Sequence, residues 1–300
     1  MPARVRDVVA ASCESVGSCH KCKPRSSETL EMAVPSIPTT DSGLLPARFG
    51  FRTGTTSVHT SRTMMLEELA VLFGRVPQSG RVEAYAAAIV EDNLLGKSTR
   101  STRQRTYLRL VELYALDPKS AIFRILRQVW AGDVQARPVA AYLAAMARDP
   151  LLRAMTPFVC DRSVGVRVSV EEITKHLQQL YPTRFGNSTA TATAQRLASS
   201  WGQVGYLKGK VQKVRSPLVV SPAAAAVAFA LGYLTGRKGQ MLFDTPWAAA
   251  LDRRPEELVA LAEESSRQGW MTYRAAGAVV DITFPTLIAP AEEKDIHEPN

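Results

Sequence analysis

The sequence has no apolar run long enough to span a bilayer. Its longest, Ala223 to Leu234, is about a dozen residues, against the roughly 20 that a membrane helix requires. No apolar stretch follows the basic N-terminus either, where Ser, Cys, Lys and Pro stand instead, so no secretory signal is read. A cytoplasmic location is the expectation, with structural disulfides disfavoured there. Catalytic signatures are also missing: no phosphate-binding glycine loop, no Gly-x-Ser-x-Gly and no metalloprotease helix occurs. The histidines are few and scattered (His20, His59, His176, His297). Glu91 and Asp92 are adjacent and diverge by about 100° on a helix, which spoils them as an acid pair on one face. Cys13, Cys19, His20 and Cys22 crowd two neighbouring ligands together and lack a second ligand pair, a poor match to a tetrahedral zinc site. We expect no catalytic residue, no metal and no cofactor; Cys160 reads as a buried thiol.

The most telling scarcity is of acid. Between Glu172 and Asp244 there is no carboxylate, while Lys175, Arg184, Arg196, Lys208, Lys210, Lys213, Arg215, Arg237 and Lys238 all fall there. The whole chain carries a formal net charge of +9, so these residues match its entire excess. A solvated surface normally mixes signs, and a one-sign field over so long a stretch calls for a polyanion. With 46% apolar and 22% charged residues, the chain is otherwise too hydrophobic to be disordered.

Residues 1–57, rich in Ser, Thr, Pro and Gly, read as a largely disordered arm with a short helix near Val5–Ala11. Residues 288–300 read as an acidic tail. Between them we expect a mainly α fold: a helical bundle over 58–160, a winged helix-turn-helix with short β-hairpins over 161–243, and a helix-plus-hairpin module over 244–287. Ile122, Phe123, Ile125, Leu126, Val129 and Trp130 repeat at the spacing of a buried helix face. Ser169 caps a helix with Val170, Ile173, Leu177 and Leu180 inward, and His176 beside that stripe is expected to be half-buried. A second helix runs from Ser188 or Thr189 to Trp201. The period then falls towards 2 over Tyr206–Val211 and Val214–Val220, as in a basic hairpin. Pro255–Gln268, Trp270–Arg274 and Ala278–Phe284 repeat this ending in a less basic form.

In that order the second helix is a recognition helix and the hairpin its wing. Ser188, Ala192, Gln195, Arg196 and Ser199 lie opposite its core stripe. Ser188 and Thr189 suit phosphates, as does Arg184 in the preceding turn, while Gln195 and Arg196 suit base edges. Lys208, Lys210, Lys213 and Arg215 would hold the backbone. A second basic cluster, Lys97, Arg100, Arg103 and Arg105, opens a helix behind Ser98 or Thr99, where the dipole favours anions rather than arginines.

The segment Ile89-Val-Glu-Asp-Asn-Leu-Leu-Gly-Lys-Ser-Thr-Arg-Ser-Thr-Arg-Gln-Arg105 resembles part of the BrxA family, in which an Asp-Asn and two apolar residues precede a Lys and a Thr/Arg-rich helix. Arg148-Asp-Pro-Leu-Leu-Arg153 and Thr193-Ala-Gln-Arg-Leu-Ala-Ser-Ser-Trp-Gly-Gln-Val-Gly-Tyr-Leu207 are similar to it as well, and the resemblance covers roughly residues 58–235. It implies a NusB-like helical domain, a winged-helix portion, binding to double-stranded DNA, and work alongside a DNA methyltransferase and other proteins of a BREX phage-exclusion system. The long N-terminal arm and the module after Gly236 depart from it. Rival readings are an RNA-binding antitermination-like factor and an assembly adaptor for an acidic protein.

Overall fold

Capping residues and prolines set most helix boundaries, and two helices that are apolar all round form the core. A computed structural model describes residues 45–277 and 279–297. The expected helix at Val5–Ala11 and the Cys13–Cys22 cluster lie outside the described residues. After α1 (Leu45–Arg48) and a 3₁₀ turn (Val58–Thr60) come α2 (Leu66–Arg75), α3 (Val82–Val90), α4 (Arg100–Tyr114), α5 (Ala121–Gly132) and α6 (Arg137–Arg148). Thr99 caps α4 by accepting from the Thr102 amide, which saturates one free donor of the first turn. The apolar stripe of α5 is buried as its spacing predicts. Every residue of α6 from Val139 to Ala147 is buried, and α4, α5, α7, α9 and α10 all pack on it.

The next elements are α7 (Pro150–Cys160), β1 (Arg167–Val168), α8 (Val170–Leu180), α9 (Asn187–Val204), β2 (Leu207–Lys208) and β3 (Lys213–Arg215). The strands form an antiparallel sheet in the order β1-β3-β2, with Val168 opposite Lys213 and Lys208 opposite Val214. Helix, strand, two helices and a hairpin that closes on the first strand is the layout of a winged helix. Ser169 and Glu172 form a reciprocal capping box at the start of α8. Ile173 and Leu177 are buried beneath it, with Val170 and Leu180 half-buried. In α9 the buried side carries Ala190, Ala194, Leu197, Ala198 and Trp201. Phe158 of α7 stacks on Trp201 with ring centres 5.9 Å apart and lies 4.9 Å from the half-buried His176.

The remaining elements are α10 (Pro222–Leu234), a 3₁₀ turn (Gly239–Leu242), α11 (Pro246–Ala249), α12 (Pro255–Arg267), β4 (Thr272–Ala276), β5 (Val279–Thr283) and α13 (Pro290–His297). The long apolar run is α10, buried from Ala223 to Leu234, as a helix without a polar face must be. No helix among the described residues is long and apolar enough to cross a membrane. The helix–helix–hairpin order does recur, with the Gly239–Leu242 turn packed on β5 where the first unit has β1. Gly239 has φ +53° and an added Cβ would meet the Val280 carbonyl oxygen at 2.6 Å, so only glycine lets the turn approach.

Three expectations need correction. The folded part starts before Val58: Phe49 and Phe51 are buried in the bundle core, and the Phe49 carbonyl accepts from the Ile122 amide. The acidic end is not a free tail but α13, docked through buried Ile296 and ion pairs of Glu292 with Arg124 and Asp295 with Arg48. The wing strands are far shorter than the period-2 stretches, because the turn from Gly209 to Gln212 takes residues that alternation alone assigns to strands.

Candidate nucleic-acid interface

Helix α9 begins without a side-chain cap. Gly186 holds the N-cap position, no side chain caps the first-turn amides there, and the first turn holds no acid. Its leading N–H groups therefore stay open beside exposed Asn187, Ser188 and Thr189, an arrangement that favours phosphate through both donors and dipole. Thr191 and Gln195 continue the exposed face. This face is neutral and small, so the helix can approach a groove edge-on with Gln195 reaching furthest.

Beside it stands the wing. Gly209 has φ +98°, and an added Cβ would lie 2.1 Å from the Gln212 carbonyl oxygen, so the turn depends on glycine there. Lys208 and Lys210 are exposed and Lys213 is half-buried, its Nζ donating to the Gly209 carbonyl at 3.3 Å. Between wing and helix lies a cleft of about 360 Å³ lined by Arg167, Gln195, Lys210 and Lys213. Arg167, in β1, belongs to this surface and was not assigned to it from the sequence. Its strand is two residues long, too short for periodicity to mark. One acid faces the same cleft: Glu171, whose carboxyl is held below its ordinary range by its own backbone amide and the Ser169 side chain.

Arg215 is a correction. It is only 1% exposed and is not a phosphate contact. Its Nε donates to the Val159 carbonyl at 2.8 Å, its Nη1 to the Ser216 carbonyl, and its Nη2 pairs with Asp252. Alternation does not separate the two, since Lys213 and Arg215 share one side of β3; Arg215 is buried because α7 and the chain before α12 close over it. Replacing Arg215 with Ala leaves Asp252 without its partner and is expected to cost about 3–5 kcal/mol. The check is thermal unfolding, with the salt dependence of duplex binding unchanged.

Arg196 is a second correction. It turns away from Gln195, half-buried, and its Nη1 donates to the Thr60 carbonyl at 2.8 Å. Adjacent helix positions point about 100° apart, so the two residues cannot share one groove-facing edge. Arg184 is held by the Thr55 carbonyl and lies 5.1 Å and 4.9 Å over the Tyr181 and Phe185 rings; it orients the turn into α9. In the bundle cluster, Lys97 pairs with Glu68 at 3.3 Å and Arg100 with Glu91 at 2.8 Å. Arg103 is half-buried, its Nε without a partner among the described residues, while Arg105 is exposed. Half of that cluster is thus neutralised in place.

The second helix–hairpin unit has the opposite character. The exposed side of α12 carries Glu256 and Glu263, and its hairpin tip carries Ala275, Ala276 and Gly277. Carboxylates there would repel phosphates, so this unit does not extend the candidate surface.

What the sequence did not reveal is the anchor behind α9. His59 and Asp149 are fully buried. Asp149 Oδ2 accepts from the Ser57 hydroxyl, the Val58 amide and His59 Nδ1, each at 2.9 Å, while Oδ1 accepts from the Leu151 and Leu152 amides as the N-cap of α7. His59 Nε2 lies 3.0 Å from Ser200 Oγ in α9, which also accepts from the Met64 amide. Burial alone would raise the Asp149 pKa, but His59 and the hydrogen bonds of Leu152 and Ser57 hold it at about 2. The Asp–His–Ser line has the order of a hydrolase triad, yet Ser200 Oγ donates to the Arg196 carbonyl at 3.0 Å and is buried. Its geometry is that of a strut between α7 and α9. The flanking arginines tie other elements together: Arg148 donates to the Glu112 and Val111 carbonyls of α4 at 3.1 Å, and Arg153 of α7 to the Met146 carbonyl of α6 at 2.9 Å.

Elsewhere, the Cys160 thiol is pushed up to about 12 by burial, and no group of three potential metal ligands occurs among the described residues. No family model matches the chain, and no curated protein matches it.

Proposed function

We propose that this chain is a non-enzymatic, double-stranded-DNA-binding accessory protein of a BREX-like bacterial phage-defence system. The observation that carries the DNA reading is the neutral, uncapped face of α9 set across a cationic cleft from a lysine wing. In this reading α9 lies in the major groove with Gln195 at the base edges, and Arg167, Lys208, Lys210 and Lys213 take phosphates on the flanking backbone. Arg105, with Lys97, Arg100 and Arg103 behind it, gives the bundle a weaker phosphate contact. The defence role, and a partnership with a DNA methyltransferase, rest on the resemblance of the Ile89–Arg105, Arg148–Arg153 and Thr193–Leu207 segments to BrxA proteins.

A mobility-shift competition tests the DNA reading. Unlabelled duplex of random sequence is expected to displace a bound 24-bp duplex at least tenfold more effectively than a structured RNA of equal length. Preference for RNA supports an antitermination-like factor instead, and no duplex affinity at 50 mM salt supports a protein adaptor. Glu171 gives an independent check: Glu171→Gln removes the one carboxylate facing the cleft and is expected to tighten duplex binding roughly threefold at low salt, fading as screening grows.

A further inference from the structure

Two arginines are buried among the described residues, Arg215 and Arg127. Arg215 has Asp252 as its counter-ion. Arg127, in α5 and 6% exposed, pairs with no carboxylate among the described residues. Its Nη2 donates to the Val76 carbonyl at 2.9 Å and its Nη1 to the Phe73 carbonyl at 3.4 Å, both at the end of α2. Its guanidinium lies 4.2 Å over the Phe73 ring, and its Nε has no partner among the described residues. The two carbonyls satisfy donors, but a helix end supplies only about half a charge. Burial pushes the Arg127 pKa down, with only Tyr85 acting the other way, yet a guanidinium stays protonated at neutral pH. A full charge so far out of water is costly until an anion joins it.

Arg127 borders a cavity of about 380 Å³ between α5 and the segment 285–290. The cavity shares no residue with the cleft beside α9, and no carboxylate lines it among the described residues. Arg124 is the other cation on its wall and is already paired with Glu292 of α13. The uncompensated charge at this cavity is therefore one. Gln78 and Gln128 add neutral amide donors, while Phe123, Leu287 and Ile288 make the wall apolar. An apolar pocket with a few polar groups is the usual form of a small-molecule site. We propose that this cavity binds a small organic monocarboxylate, its carboxylate set against Arg127 and its apolar body against Phe123, Leu287 and Ile288. A phosphate dianion brings a second negative charge that no cation on the wall balances, and a neutral molecule leaves Arg127 as it stands. The bound carboxylate also ties α5 to the segment that leads into α13.

Isothermal titration calorimetry of the full chain tests this, with hexanoate as the probe and hexanol and inorganic phosphate as comparators. Hexanoate is expected to bind at least on the order of tenfold more tightly than the alcohol of the same length, the ratio that a hydrogen bond to a charged group supplies, and phosphate is expected not to bind. The unfolding midpoint should rise with hexanoate concentration and not with equal sodium chloride. Arg127→Gln is expected to erase the preference for the acid over the alcohol. Should that variant fail to fold, because it also releases the α2 carbonyls, Gln128→Glu carries the test. Gln128 is only half-buried, and a carboxylate there gives the cavity its own anion, so hexanoate affinity should fall on the order of tenfold with the fold retained. Equal affinity for acid and alcohol, tighter binding of phosphate, a Gln128→Glu protein that binds hexanoate as wild type does, or no hexanoate binding at all overturns the proposal. Each of these outcomes leaves the duplex-DNA proposal standing, since the two surfaces share no residue.

Discussion

Replacing Asp149 with Ala is expected to lower the unfolding free energy by about 3–5 kcal/mol, the penalty for removing a buried carboxylate and leaving its buried donors unmatched. Five donors converge on that carboxylate, from Ser57, Val58, His59, Leu151 and Leu152. Loss of the N-cap alone would cost only about 0.5–2 kcal/mol, so a value in that lower range would show that the His59 contact contributes little. At roughly 2–4 °C per kcal/mol for a chain of this size, the midpoint should fall by about 10 °C. The pH dependence carries a sign. Asp149 is depressed from 3.8 to about 2, so its stabilisation is fully present above about pH 4 and is lost as pH falls through about 2. Asp149→Asn keeps an acceptor for the α7 amides while removing the charge, and should flatten that acid limb in a urea-unfolding series. An acid limb identical to wild type would contradict the assignment.

The second large effect concerns binding. Lys208→Ala, Lys210→Ala and Lys213→Ala together are expected to weaken duplex binding about 100- to 1,000-fold at 0.1 M salt on every sequence, and to flatten the log–log salt slope by about one per lost phosphate contact. None of the three is buried, so the unfolding midpoint should stay within a degree or two of wild type. A weakened protein with an unchanged slope would mean that the lysines act through wing conformation rather than through phosphates.

The contrast between Lys213 and Arg215 shows how far charge reading reaches. A map of charge along the chain places both in the same acid-free stretch, and one stands at the cationic cleft while the other is bonded to Asp252, 37 positions later. Linear scarcity of acid cannot expose a partner that lies beyond its end. Helices with strong periodicity or capping chemistry, such as α5 and α8, were legible because their determinants are local. The wing's order was legible and its length was not, since Gly209 ends β2 where alternation continues. The strut of His59, Asp149 and Ser200 left no local trace, because its members are 90 and 141 positions from His59. Each looks ordinary alone: a lone histidine, an Asp-Pro start signal and a serine in a small-residue helix. Phe49 and Phe51 were lost within a Ser/Thr/Pro-rich composition, although two aromatics bracketing a glycine belong more readily to a core edge than to a disordered arm.

The most direct test of the account is the affinity of the wild-type chain for a random-sequence 24-bp duplex, followed from 50 to 200 mM salt. With Arg167, Lys208, Lys210 and Lys213 and the α9 N-terminus on the backbone, log affinity should fall against log salt with a slope of roughly −4. Binding that is absent at 50 mM salt, or present with a slope near zero, would contradict it.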